Sequence, residues 1–322
     1  MYEQLVPNVR TVTADDLRIG AKAMATANLA SSAPDAEPIA RSDPRVLQIS
    51  RLAELFGGVL LSGPPGTSKS YYAAAVAQLL TDGDEARYKF VQFHASYQYE
   101  DFILGFAPTE TSFVPKDGPF LALVRAATTD PDHCYVLVID ELSRADVGRV
   151  FGEALTYVER TKRELRFTIA NGEEIHIPSN LVIIATMNPF DRGVDEVDAA
   201  FERRFAKVSM DPDRSVLGSI LDGNEVDATL KTKLLHWFDR INGQSRRNPA
   251  AAVGHAYFSA VTDEQSLRDI WDYQLKFLVE RAFRRDENTR RDIETAWNNV
   301  FENPALGEAS TSGTEKGDAQ RP

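Results

Sequence analysis

Residues 63–70 read Gly-Pro-Pro-Gly-Thr-Ser-Lys-Ser, with the apolar run Gly58 to Ser62 directly before them and a helical stretch starting at Lys69. This strand–turn–helix join narrows the fold more than anything else in the chain. A glycine-rich turn entering a helix N-terminus gathers backbone N–H donors in a volume the size of a polyphosphate. Gly63, Pro64, Pro65, Gly66, Thr67 and Ser68 are expected to cradle phosphates, Lys69 to reach the β- and γ-phosphates, and the Ser70 hydroxyl to bind Mg²⁺. The usual pattern has glycine directly before the lysine; here Ser68 stands there, and serine enters unusual backbone angles less readily than glycine.

The rest of the chain supports an open α/β sheet around that join. From Val46 onward short apolar runs alternate with helical stretches. Gly58 to Ser62 precedes the helix from Lys69, and Phe90 to His94 precedes a helix near Pro119 to Thr129. Tyr135 to Ile139 precedes a helix from Asp146 to Glu159, and Leu181 to Met187 follows. Such alternation implies a parallel sheet with helices on both faces, and near-continuous apolar runs suit strands buried on both sides. One segment breaks the rhythm. Leu165, Phe167 and Ile169 alternate with polar neighbours, Asn171-Gly172 intervenes, and Ile175 and Ile177 alternate again, the strongest short-range signal of a β-hairpin.

From about Asp211 the pattern is helical only, over Val226 to Ile241, Asp263 to Ala282 and Thr289 to Asn299. Asp15 to Asn28 reads as a helix, Ser31 to Pro44 as a proline-bearing linker, and Gly307 to Pro322 as disordered by composition. The expected organisation is an extension and linker over 1–48, an α/β core over 49–210 with its hairpin near 164–178, a helical domain over 211–305, and a disordered tail over 306–322.

Composition closes off several classes. With 322 residues, 43% apolar, the chain can build a large core and a smaller accessory domain. Its net charge of −12 argues against coating nucleic acid by bulk attraction, though a local basic groove stays open. The lone Cys134 rules out a disulfide framework and reads as a small apolar residue entering a strand. No apolar run approaches the 18 or so residues of a membrane span, and Met1-Tyr2-Glu3-Gln4 lacks the start of a signal peptide. A cytoplasmic protein without membrane contact is expected.

Three further constellations carry chemistry. Tyr135-Val136-Leu137-Val138-Ile139 ends in Asp140-Glu141; after a phosphate loop, Asp140 suits holding Mg²⁺ and Glu141 suits polarising the attacking water. Taken singly, the same run is a strand ending in a solvated acidic turn. Asn188 emerges at the carboxyl end of Leu181 to Met187, the edge where open α/β sheets bind ligands. It can orient a water beside the γ-phosphate, or simply form a turn before Pro189. Glu202-Arg203-Arg204-Phe205 follows a short helix from Val194. Arginine suits the charge on a transferring phosphoryl group, and two adjacent arginines point in different directions, so they can serve two nucleotides, one in a neighbouring subunit; paired surface salt bridges are the plainer reading.

These four constellations, in this order, resemble the Walker A, Walker B, sensor 1 and arginine-finger elements of the AAA+ ATPases, over roughly Val46 to Met210, with the helical region as the lid. The run Val91-Gln92-Phe93-His94-Ala95-Ser96-Tyr97-Gln98-Tyr99-Glu100-Asp101-Phe102 resembles the McrB-like branch, near the MoxR and dynein-related groups. Asp117-Gly118-Pro119-Phe120, Gly254-His255-Ala256-Tyr257-Phe258 and Met187-Asn188-Pro189-Phe190-Asp191-Arg192 are similar to that branch too, the last with Pro-Phe where Thr-Ala is usual.

The resemblance implies a P-loop fold with a parallel five-stranded sheet and a small α-helical lid. It implies Lys69 and Ser70 at the phosphates and Mg²⁺, Asp140 and Glu141 as metal and water residues, and Asn188 as sensor. Arg203 becomes the finger for the next subunit, Arg204 a second phosphate contact, and Asp191 and Arg192 lie near the subunit boundary. Glu202 stands where an arginine is common, which leaves open which of the two arginines is the finger. His94 and His255 match without a derived role. The cofactors implied are ATP, or GTP as used by McrB, with Mg²⁺. The partners implied are further copies of the chain in a ring, a hexamer by family habit, and an McrC-like nuclease. The 48 residues before the core are too few for a separate DNA-reading domain, so DNA contact is expected to be indirect. A MoxR-like chaperone that remodels a protein complex is the second reading, and a non-hydrolysing scaffold the third.

Overall fold

The computed structural model describes residues 41–109, 111–189 and 199–302. The expected helix at Asp15 to Asn28, the linker up to residue 40, Asp191, Arg192, the start of the helix at Val194 and the C-terminal tail lie outside the described residues, and Pro44 at the linker's expected end already opens a helix. Contacts divide the described chain into two compact units. One takes 41–61, 70–187 and 199–208, and the other takes 62–69, 188–189 and 209–302.

The first unit begins with α1 (Pro44–Phe56). Asp43 caps it, its Oδ1 accepting from the N–H groups of Arg45 at 2.8 Å and Val46 at 3.1 Å, and Gly57 ends it at φ 74°. The sheet strands are β1 (Gly58–Ser62), β2 (Tyr88–Gln92), β5 (Tyr135–Asp140), β8 (Leu181–Met187) and β9 (Ala206–Ser209), in the spatial order β2-β5-β8-β1-β9. β2 is parallel to β5, and β5 to β8, in keeping with the parallel sheet that the alternating pattern implied, and the sheet has the five strands that the resemblance implied. α2 (Lys69–Leu80) and α4 (Pro119–Thr129) flank it. Every residue of β1 and β8 is buried, the burial that near-continuous apolar runs report. The register pairs Gln92 with Asp140 and Ile139 with Ala185, so the carboxyl ends of β2, β5 and β8 form one edge.

The motif over 91–102 anchors in the core through Val91, Phe93 and Phe102, while Gln92, His94, Ala95, Ser96, Glu100 and Asp101 are exposed. Phe93 stacks on Tyr97 with centroids 4.9 Å apart and meets Phe102, in the short helix α3 (Tyr99–Phe102), edge-on at 5.4 Å. Phe102 passes the contact to Phe120 and Phe151. Gly118 precedes α4 because a Cβ there would lie 2.3 Å from the Phe102 carbonyl oxygen.

Three local readings change. The β2 strand starts and ends two residues before the expected Phe90 to His94. The expected helix over Asp146 to Glu159 is split into α5 (Val147–Phe151) and α6 (Ala154–Tyr157). Gly152 between them sits at φ 49°, which interrupts the helical run, and the Tyr99 ring lies 2.8 Å from where a Cβ would stand, so only glycine fits. An antiparallel ribbon of β3 (Leu104–Pro108) and β4 (Phe113–Asp117) gave no sequence signal. It has no Asn-Gly turn, and its Phe106 and Phe113 are exposed, so period-two burial never appears.

The ribbon of β6 (Phe167–Thr168) and β7 (Glu174–Ile175) turns at Asn171-Gly172, with Gly172 at φ 85°. Arg125 bridges both ribbons. Its guanidinium donates to Glu173 at 2.6 and 2.7 Å and to Asp117 at 2.7 Å, which holds Glu173 below the usual carboxylate range.

The second unit is helical: α8 (Arg214–Gly223), α9 (Ala228–Gln244), α10 (Glu264–Ile270), α11 (Lys276–Ala282) and α12 (Glu287–Asn298), after the short α7 (Ala199–Glu202) of the first unit. Asp213, Asp227, Asp263 and Asp286 cap four of these helices. The expected single helix over Asp263 to Ala282 contains a π turn at Trp271–Leu275. All three tryptophans of the chain meet here: Trp271 stacks on Trp297 at 4.7 Å, and Trp237 meets Trp297 edge-on at 4.7 Å. Among the described residues no helix is long and apolar enough to cross a membrane.

Candidate functional site

In the α/β unit the carboxyl ends of β5 and β8 and the start of α2 converge on Asp140. Its Oδ1 accepts from the Ser70 hydroxyl at 2.7 Å and from the Thr186 hydroxyl at 2.5 Å. Thr186 is buried and its oxygen also accepts the Glu141 N–H at 3.2 Å. One hydroxyl therefore fixes both neighbouring carboxylate residues. Glu141 has φ 55°, a left-handed conformation that a non-glycine residue adopts at a cost and that recurs at functional sites. Its carboxylate accepts from Arg144 Nε at 3.1 Å. The sequence reading missed Thr186; a lone hydroxyl in an otherwise apolar strand is visible in the sequence, but its place across from Asp140 comes only from the pairing of β5 with β8.

The segment 62–69 groups with the helical unit. Gly63 has no room for a side chain, since a Cβ would lie 2.1 Å from the Met210 carbonyl oxygen. Gly66 at φ 74° and Ser68 at φ 61° are both left-handed. Thr67 is buried and donates to the Pro64 carbonyl at 2.9 Å. Lys69 Nζ donates to the carbonyls of Gly63 at 2.9 Å and Pro64 at 2.8 Å, so the lysine curls back across its own loop. The turn at His255 lies on the same loop, with the Ala256 N–H donating to the Gly66 carbonyl at 2.8 Å.

Asn188 is buried and, with Pro64 and Pro65, lines a cavity of about 190 Å³ closed by Asn248, Pro249 and Arg281 among others. Asn248 is tied to the end of α11 through the Ala282 carbonyl at 2.7 Å. Arg281 and Asn248 were not singled out from sequence. Nothing in their spacing marks them, because they reach the cavity from separate helical segments.

Arg203 is exposed and forms no ion pair among the described residues. Arg204 is half-buried and its charge lowers the Glu159 carboxyl, after the stronger effects of Thr161 and Lys162. Glu202 pairs with Lys207 at 2.8 Å. The structure thus gathers Ser70, Asp140 and Glu141 in one unit and the loop with Asn188 in the other, while no hydrogen bond or ion pair joins Arg203 to Asp140 or Glu141 among the described residues.

The donor set fits a hard divalent cation and a polyphosphate. A hydroxyl and a carboxylate oxygen 2.7 Å apart are the oxygen ligands Mg²⁺ takes, alongside waters and phosphates. The loop has left-handed residues at Gly66 and Ser68, the kind of turn that forms anion-binding concavities, and the Lys69 ammonium lies on its carbonyls.

The AAA domain of the dynein-related subfamily matches residues 58–205. The McrB subunit of the type IV methyl-directed restriction enzyme EcoKMcrB of Escherichia coli K12 is 32% identical over 246 residues, covering 70% of this chain and 53% of the relative. Component YdiS of the Bacillus subtilis type II restriction enzyme BsuMI is 27% identical over 190 residues, 46% of this chain and 55% of the relative. The chain spans about half the length of the curated relatives it matches. NtrX from Brucella abortus, solved in complex with ATP, superposes with a TM-score of 0.38 at 13% identity over 89% of this chain and 74% of that one, too loosely to inform the site. On its sheet, its phosphate-loop join and its similarity to McrB, the chain belongs to the AAA+ ATPases, in their McrB-like branch.

Proposed function

We propose that this chain hydrolyses a nucleoside triphosphate as a ring-motor subunit of a DNA-restriction or defence complex, with ATP as the nucleotide by superfamily habit and GTP as the alternative. The observation that carries the hydrolase reading is the hydrogen bond from Ser70 to Asp140, which joins the end of the phosphate loop to the end of β5. Gly63 to Lys69 would cradle the phosphates, with Lys69 Nζ, which here donates to the loop carbonyls of Gly63 and Pro64, able to donate to phosphate oxygens instead. Ser70 and Asp140 would hold Mg²⁺, which would supply compensation for the negative charge of the phosphates. Glu141 accepts a proton from the attacking water as Asn188 orients it. Arg203, exposed, reaches a neighbouring subunit's γ-phosphate, whereas Arg204 faces Glu159 in its own unit and serves as the second contact.

Both curated relatives are named as restriction components, which favours the restriction reading over the chaperone. An McrC-like nuclease is the expected partner, with DNA contact through it, in the cytoplasm. The test is phosphate release with ATP and with GTP beside Glu141→Gln. Turnover lost in the variant, with binding kept, supports the assignment; equal turnover in the two proteins overturns it. Pull-down of a nuclease and DNA-stimulated turnover test the partner.

A further inference from the structure

We propose that His255 is a positioning residue for the phosphate loop, holding Ser68 in the left-handed conformation that the loop adopts one residue before Lys69. The inference rests on the nucleotide-binding reading above. Ser68 has φ 61°, a conformation that glycine enters freely and an L side chain enters at a cost. The strain is therefore built into having any side chain at this position.

What offsets it is a hydrogen bond from the other end of the chain. Ser68 Oγ lies 3.1 Å from His255 Nε2, 187 residues away, and His255 is fully buried. The other ring nitrogen, Nδ1, accepts the Asp213 backbone N–H at 3.3 Å. A backbone N–H can only donate, so Nδ1 carries no proton; the proton of the neutral ring sits on Nε2 and Nε2–H donates to Ser68. Asp213 is itself held in place as the cap of α8, its carboxylate accepting from the Ser215 and Val216 N–H groups.

The turn that carries the ring is fastened to the same loop. Ala256 N–H donates to the Gly66 carbonyl at 2.8 Å. A Cβ on Gly254 would lie 2.0 Å from the Gly66 oxygen and 2.6 Å from that of Pro65. The imidazole is thus oriented at both nitrogens and stands on a turn that cannot drift from the loop. A histidine that merely filled a core needs none of this, and a glycine at 68 would not need the histidine.

The test is titration of the full chain with Mg-ATP and Mg-GTP, with melting temperature and steady-state turnover read beside it. Ser68→Ala keeps the Cβ and loses the acceptor; Ser68→Gly removes the strain along with it. Ser68→Ala is expected to weaken nucleotide binding about fivefold, the worth of one net hydrogen bond, raising KM more than it lowers kcat. Ser68→Gly relieves the left-handed strain, so its loss of affinity should be clearly smaller than that of Ser68→Ala. His255→Leu should weaken binding like Ser68→Ala, yet change nothing further when combined with Ser68→Gly. Unchanged affinity in Ser68→Ala overturns the proposal, as does an equal loss from His255→Leu in both backgrounds. Ser68 lies on a half-exposed loop, so its two variants decide the matter even if His255→Leu does not fold. A natural chain that binds neither nucleotide would instead overturn the hydrolase reading, and this proposal with it.

Discussion

The Ser70 hydroxyl stands 2.7 Å from Asp140 Oδ1 although the two residues are 70 positions apart. Thr186 holds the same oxygen at 2.5 Å. A carboxylate oxygen that accepts from two hydroxyls has its direction fixed, and the free edge it shares with Ser70 is where a cation with oxygen ligands fits.

Ser70→Ala should lower turnover about 100-fold, the scale of losing one preorganised contact to developing charge. It should also make nucleotide affinity insensitive to Mg²⁺. Titrations with and without Mg²⁺ check this, and an unchanged Mg²⁺ dependence would contradict the ligand assignment.

Thr186→Val keeps the side-chain shape but removes the donor to Asp140 and the acceptor for the Glu141 N–H. Residues that orient ligands from behind typically matter by 10- to 100-fold, so turnover should fall about tenfold while melting temperature stays within a few degrees. Steady-state kinetics beside a thermal melt measure both.

Arg203→Ala should be inactive by a factor of about 1,000, the lower range for an arginine finger, and so should Lys69→Ala. If Arg203 acts across a subunit boundary, mixing the two inactive proteins restores part of the turnover, and specific activity of the natural chain rises with concentration. No recovery on mixing, with concentration-independent turnover, would place the arginine's action within its own chain.

Arg163 is buried and donates to the carbonyls of Val158 at 3.0 Å, Pro178 at 3.3 Å, Leu181 at 2.7 Å and Gly57 at 3.1 Å. Burial pushes its guanidinium down to about 10. Arg163→Met strips a donor from four carbonyls at the joint of α1, β8 and the second ribbon. It should destabilise the protein by about 3 kcal/mol, read as a lower urea midpoint.

Acid should weaken the helical unit. The Asp227 carboxyl is held below its ordinary range by the Leu230 N–H, that of Asp263 by the Ser266 N–H, and that of Asp286 by the Thr289 side chain. A carboxyl whose folded pKa is depressed stabilises fully above its unfolded value of about 3.9 and loses that contribution as pH falls through the folded value. These caps therefore leave stability level above about pH 5 and reduce it below about pH 4. Thermal melts across that range check it, and replacing all three by Asn should flatten the slope.

Much of the site was legible because its chemistry is local. The loop at 63–70 and the pair Asp140-Glu141 each lie within one turn or strand end, and their meaning comes from adjacent apolar runs. Thr186 was not legible, since its importance comes from lying opposite Asp140 in a neighbouring strand. Arg281 and Asn248 share that obscurity.

The amino-acid sequence alone determined the alternation of strand and helix, the phosphate loop, the acidic strand end and the helical C-terminal region, because periodicity, turn residues and caps act over a few positions. Tertiary structure decided that β8 lies beside β5, so that Thr186 locks Asp140 and Glu141. It decided that the Tyr99 ring packs beside the helix break at Gly152, and that His255 meets the one non-glycine residue in the loop's left-handed turns. These relationships depend on the packing of segments up to 187 residues apart, and nothing in the local spacing of either partner specifies the other.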